Sequence, residues 1–208
     1  MMTSTMTLLI IGITVVVSYM AFNNSDLLNK CMFYPVSIKQ RNEYWRFFTH
    51  GFVHADLTHL LFNMLTLYFF GPIVETVFGG LFGNPFIYPL FYLLALFSSS
   101  VPSFEKHKSN SNYIALGASG AVSAVLFATI LFDPWQTLRL YFAIPVPAIV
   151  FAVLYIWYSS YMSKHGRDNI GHDAHMWGAI FGLIFPLVLR PSLLSMFLEM
   201  IKHPRFLQ

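Results

Sequence analysis

Long apolar runs separated by short polar breaks organise this chain. Thr3 to Asn24 contains no Lys, Arg, Asp or Glu, and about 20 such residues cross a bilayer as a helix. Five further runs follow, and the pattern predicts six transmembrane helices at roughly 6–23, 57–78, 85–102, 114–132, 145–163 and 173–190. The breaks carry turn and charge signals. Gly79-Gly80 and Asn84-Pro85 part the second run from the third. Glu105-Lys106-His107-Lys108-Ser109-Asn110 precedes the fourth, Asp133-Pro134 follows it, and Lys164-His165-Gly166-Arg167-Asp168 follows the fifth. The third run is short and begins among prolines. The stretch from Asn23 to Asp56 departs from the pattern, mixing Tyr, Trp and Phe with Lys30, Lys39, Arg41 and Arg46. It is too polar to span and too aromatic for a free linker. Because Trp and Tyr favour the membrane–water interface, a folded loop lying partly in that interface is predicted.

Composition points the same way. Of 208 residues, 56% are apolar, 18% aromatic and 10% charged, whereas soluble domains carry about 25% charged residues. The first run has no basic leader, and Tyr19-Met20-Ala21-Phe22 is not an A-x-A-like cut site, so an uncleaved span is expected. Cys31 is the only cysteine, which excludes an internal disulfide and a Cys-rich metal site. The formal charge of +3 is scattered and gives no argument for nucleic acid as a partner. With no repeat, no low-complexity segment and mostly short connections, residues 1–208 are predicted to form one all-α polytopic membrane domain. The sequence specifies no oligomeric state. If the spans alternate, the side of the first long loop holds Lys30, Lys39, Arg41, Arg46, Lys106, Lys108, Lys164 and Arg167. The other side holds Arg139, Arg190, Lys202 and Arg205. The positive-inside rule then puts the long loop in the cytoplasm.

Polar residues inside spans are expensive and therefore mark candidate function. They are His59 and Asn63 in His-Leu-Leu-Phe-Asn, Glu75, Ser119 in Gly-Ala-Ser-Gly, and His175 in Ala-His-Met-Trp-Gly-Ala-Ile-Phe-Gly. The second, fourth and sixth spans enter from one face, and His59, Asn63, Ser119 and His175 each lie in the first third of their span. At about 1.5 Å per residue they share a depth on the order of 5–10 Å. A serine hydroxyl becomes a nucleophile when a base such as neutral histidine takes its proton. Peptide hydrolysis also needs donors aimed at the oxyanion. His59 and Asn63, four apart, lie on one helix face and can serve together. A Ser–His dyad needs no acid if packing orients the base.

Structural readings stand beside these. Gly117, Ser119, Gly120 and Ala121 also fit a small-residue helix contact, as do Gly178 and Gly182, and His59 with Asn63 also fits interhelical hydrogen bonding. A membrane histidine such as His175 equally suits haem binding or proton relay. Glu75 and the trio His50, His54 and Asp56 read as structural. No His-Glu-x-x-His pattern supports a zinc protease.

Trp45-Arg46 followed by His50, His54, His59 and Asn63, then Gly71 and Glu75-Thr76-Val77-Phe78-Gly79, resembles the first-loop and second-span signature of rhomboid proteases. Gly117-Ala118-Ser119-Gly120 resembles their nucleophile motif, and Ala174-His175 with Gly178 and Gly182 their base motif. The likeness runs from about Trp45 to Arg190, and the three motifs together are specific where each alone is not. It implies a six-helix rhomboid-like bundle with a partly membrane-embedded first loop, acting as an intramembrane serine endopeptidase without a cofactor. It implies Ser119 as nucleophile, His175 rather than His172 as general base, and His59, Asn63 and the Ser119 N–H as oxyanion donors. Membrane lipids surround the bundle, and single-span transmembrane proteins are the implied substrates. They reach a water-filled cavity open to the non-cytoplasmic side of the cell (inner) membrane, against the charge count. The stretch from Lys164 to Gly171 is expected above the cavity as a gate. The alternative is a non-catalytic rhomboid-like protein that binds transmembrane segments; a third class is haem binding or transport through His59 and His175. Two departures matter. Many relatives carry an aromatic four residues after the nucleophile, where it can stack on the imidazole; here Ser123 stands there, so if nothing else restrains His175 a looser ring, with low activity or altered substrate preference, is expected. Pro72 replaces a common second glycine and is expected to reshape the second span.

Overall fold

A computed structural model of the chain describes residues 4–140, 143–165 and 171–204. Helix α1 (Thr5–Phe22) is followed by a loop that folds into α2 (Ser25–Cys31), α3 (Pro35–Arg41), α4 (Arg46–Thr49) and a 3-10 turn over His50–Phe52. Local chemistry explains these pieces. Asn24 caps α2 by accepting from the Leu27 N–H at 3.0 Å. Pro35 opens α3, and Asn42, at φ +58°, ends it in the left-handed region that Asn tolerates. Arg46, only 7% exposed, organises the loop: it pairs with Glu43 at 2.6 Å and donates to the carbonyls of Asn29 and Met32, each at 2.7 Å. Phe33, Ile38 and Phe47 form a small core beneath it against Val101 and Phe104 of the third long helix.

The remaining elements are α5 (Leu57–Phe82), α6 (Ile87–His107), α7 (Ser119–Phe132), an antiparallel hairpin of β1 (Thr137–Leu140) and β2 (Ile144–Pro147), α8 (Ala148–His165), α9 (His172–Leu189) and α10 (Ser192–Lys202). The six predicted spans thus correspond to α1, α5, α6, α7, α8 and α9, with altered ends. Helix α5 runs unbroken through Pro72 and Gly79-Gly80 and stops at Gly83, whose φ of +64° suits glycine. Helix α6 extends to His107 rather than ending near 102. Helix α7 begins at Ser119, not at 114, because the preceding residues pair with the first loop: Phe33 and Ala115 exchange two backbone bonds of 2.8 and 3.0 Å. Residues 145–147, expected in the fifth span, belong to β2. The hairpin and α10 were not anticipated. Gly166 to Ile170, within the stretch expected to act as a gate, lies outside the described residues.

Among the described residues, α1, α5, α6 and α9 are each long and apolar enough to cross a membrane. Helix α7 is shorter, at 14 residues, but every residue from Gly120 to Leu131 is buried by its neighbours. It is the central strut, packed most extensively on α9 and also on α5 and α6. Apolar side chains instead point outward from the surrounding helices, among them Val16, Leu61, Val153, Trp157 and Val188. Such a surface suits lipid and would be unusual in water.

Glu75, polar in the middle of an apolar helix, fastens α1 to α5. Its carboxylate accepts from the Met6 N–H at 2.9 Å, the Thr7 N–H at 2.8 Å and the Thr7 hydroxyl at 2.7 Å. Ser4 provides no side-chain cap, so the orphan donors at the start of α1 find their acceptor on another helix. Gly71, one turn away, lets this happen: a Cβ there would lie 2.6 Å from Thr7 Cγ2 and 2.8 Å from the Tyr88 hydroxyl. Glu75→Ala is expected to lower the unfolding free energy by about 2–3 kcal/mol, read by denaturant titration in micelles. A value within error of wild type would rule out the cap.

Candidate active site

The candidate residues lie at the N-terminal ends of three helices. His59 and Asn63 lie in the first two turns of α5, Ser119 is the first residue of α7, and His175 lies in the first turn of α9. Beside the last two, the backbones of α7 and α9 touch. A Cβ on Gly178 would overlap the Gly120 carbonyl, and one on Gly120 would lie 3.4 Å from the Ala174 carbonyl oxygen. Ser119 adjoins Gly120 and His175 adjoins Ala174, so both side chains leave backbones in close contact at the same end of the helix pair. Each is partly buried. His172, the competing base, is buried edge-on against Tyr158 with ring centroids 5.7 Å apart.

The segment leading into Ser119 is held from several sides. The Gly117 N–H donates to the His50 carbonyl at 2.9 Å, and the Ala118 N–H donates to His54 Nε2 at 3.3 Å. An accepting Nε2 leaves the proton on Nδ1, which then donates to the Ser18 hydroxyl at 2.9 Å; that hydroxyl donates to the Phe52 carbonyl at 2.9 Å. His50 Nε2 meets the Ser100 hydroxyl at 2.9 Å. His50 and His54, read from sequence as structural, thus brace the segment that carries Ser119. Gly117 has φ +108°, and a Cβ there would sit 2.6 Å from His59 Cε1 and 2.8 Å from Nε2. Glycine alone adopts this backbone and admits the imidazole.

The start of α7 at Ser119 has an electrostatic consequence. The first N–H groups of a helix have no intrahelical acceptor, and its N-terminus carries partial positive charge. Donors therefore surround the point where the Ser119 hydroxyl leaves the chain, with the His59 ring against Gly117 nearby. Asn63 Nδ2 donates to the His59 carbonyl at 2.9 Å, which uses one of its two amide hydrogens. At the head of α9, Asp173 accepts from Lys106 Nζ at 3.0 Å and from the Ser163 hydroxyl, tying together the ends of α6, α8 and α9.

Tyr155 was missed from the sequence. Its ring stacks on His175 at 6.3 Å between centroids and 22° between planes, and its hydroxyl meets that of Ser123 at 2.6 Å. The condition for a looser His175, that nothing else restrains it, is not met: an aromatic neighbour is present and comes from α8. The one available hint was that Tyr155 and Tyr158 repeat the three-residue spacing of His172 and His175. Among the described residues, no group of three or more His, Cys, Asp or Glu is arranged to hold a metal.

Five apolar helices around a short buried one, with a serine at the head of that strut and a histidine on the helix beside it, define a class. The chain belongs to the rhomboid family, matching the Rhomboid domain over residues 41–192, and is an integral membrane protein. It is similar to RHOMBOID-like protein 12, mitochondrial, of Arabidopsis thaliana, at 31% identity over 85% of this chain and 55% of the relative. It is also similar to Rhomboid protease GlpG of Haemophilus influenzae, at 26% identity over 76% of each chain. Rhomboid protease GluP of Bacillus subtilis is 30% identical over 70% of this chain. The chain spans only about half of the Arabidopsis relative and 26% of GluP.

Burial gives the bracing histidines a pH signature. It pushes His50 down from 6.5 to about 4, against the opposing pull of its backbone hydrogen bonds. It pushes His54 down to about 3, helped by the charges of His59 and His50 and opposed by Asp56. A histidine depressed in the folded state contributes stability fully present above its unfolded value of 6.5 and lost as pH falls toward the folded value. Melting temperature in detergent is expected to hold above pH 6.5 and to drop steadily toward pH 4.5, less steeply in His50→Asn. A flat profile across that window would contradict the assignment.

Proposed function

We propose that this chain is an intramembrane serine endopeptidase that cleaves transmembrane segments of other membrane proteins, single-span substrates above all. The observation that carries this reading is the contact of Gly120 with Ala174 and Gly178, which starts Ser119 and His175 from touching backbones. In the mechanism, Ser119 Oγ attacks the scissile carbonyl carbon as His175 takes its proton. The oxyanion is met by the Ser119 N–H, His59 and Asn63. His175 then protonates the leaving amine, and water repeats the cycle on the acyl-enzyme.

The alternative, a non-catalytic protein that binds transmembrane segments, is disfavoured because both Ser119 and His175 are present in the expected helix ends. The site opens, on this proposal, to the non-cytoplasmic side of the cell (inner) membrane. The charge count that opposed this loses weight, because Arg46 is buried in the loop's own hydrogen bonds. A mitochondrial membrane is the second reading, favoured by the 31% identity to the mitochondrial plant relative.

In liposomes with a labelled transmembrane substrate, Ser119→Ala and His175→Ala are expected to abolish cleavage. His59→Ala or Asn63→Ala is expected to slow it about a hundredfold. Cleavage by Ser119→Ala at the wild-type rate would end the proposal.

A further inference from the structure

A partly buried ring on α8 lies beside the histidine that the protease reading makes the base. Tyr155 is stacked on His175, offset at 6.3 Å and 22°, within the range of favourable aromatic pairs. Its own position is fixed from three directions. Phe127 of α7 and Phe151 of α8 lie with ring centroids 5.4 Å from it, and the Ser123 hydroxyl holds its hydroxyl at 2.6 Å. Ser123 is itself buried, one turn after Ser119 on the same helix. The helix that bears the nucleophile therefore anchors the ring that touches the base.

We infer that Tyr155 is the positioning residue of His175 and that Ser123 is its tether. The inference rests on the protease reading above. When the Ser119 proton passes to His175, the imidazole becomes a cation beside an offset aromatic ring. Before that, the neighbouring ring limits rotation of the imidazole, which the protease reading requires to point at Ser119. Here the helix of Ser119 supplies only a hydroxyl, and the ring arrives from α8. Ser123 is thus half of a two-residue arrangement rather than a defect, and substituting either half disturbs the same imidazole.

The test uses the full chain in liposomes with a transmembrane substrate. Tyr155→Leu is expected to lower kcat about tenfold or more, with KM within about twofold of wild type. Tyr155→Phe and Ser123→Ala keep the ring and lose the tether. Each is expected to cost about fivefold, and the double variant no more than either alone. These conservative changes keep the test decisive if the leucine variant does not fold. Ser123→Tyr placed on Tyr155→Leu, which returns a ring from α7, is expected to recover most of the rate. Wild-type kcat in Tyr155→Leu, or full additivity in the tether pair, would overturn the inference. Should wild type cleave nothing, the protease reading fails and imidazole 15N spectra decide the positioning alone. A shifted tautomer ratio and broadened His175 signals in Tyr155→Phe would support it, and unchanged signals would refute it.

Discussion

Two apolar helices in a bilayer gain little by leaving lipid for each other, because lipid tails are as apolar as their side chains. Close backbone approach has to supply the attraction. In this protein that approach is made by α7 and α9, with Gly178 lying on the Gly120 carbonyl and Gly182 on the Ala124 carbonyl. The two contacts are four residues apart on both helices, so they run as a seam down one face of each. Everything around the candidate site depends on the seam. It sets the separation of the backbones that bear Ser119 and His175. It also allows a helix of 14 residues, too short to face lipid along its length, to serve as the buried strut on which α5 and α6 pack.

Several polar groups follow a second rule, in which a partner from another element satisfies them. Glu75 of α5 caps α1, Ser18 of α1 orients His54, and His54 in turn receives the Ala118 N–H next to Ser119. Arg46 gathers the carbonyls of the first loop, and that loop pairs through Phe33 with Ala115. Buried hydrogen bonds of this kind are expensive to leave unmade, so they fix geometry where apolar packing alone would tolerate sliding. Their combined effect is to end the extended segment and begin α7 at Ser119.

Rhomboid family membership and the six apolar helices were legible in the chain because both rest on local information. A span announces itself by its length without charge, and the motifs around His59, Ser119 and His175 are short and contiguous. Element ends were less legible. Residues 114–118 are apolar enough to continue a helix, and only pairing with the first loop keeps them out of it. The hairpin before α8 escaped notice for a similar reason, since Ile144 to Pro147 reads as the beginning of an apolar run.

Hydropathy therefore determined which segments enter the membrane, and residue type determined which side chains could do chemistry. Neither specifies how a helix is rotated about its axis or which neighbour it meets. Tyr155 is one of many aromatics in an apolar run, and nothing in its local sequence ties it to His175. The packing of α8 against α9, with Ser123 holding the ring by its hydroxyl, made that assignment. Contacts between residues distant along the chain are settled when helices choose their partners, and that choice belongs to the tertiary structure.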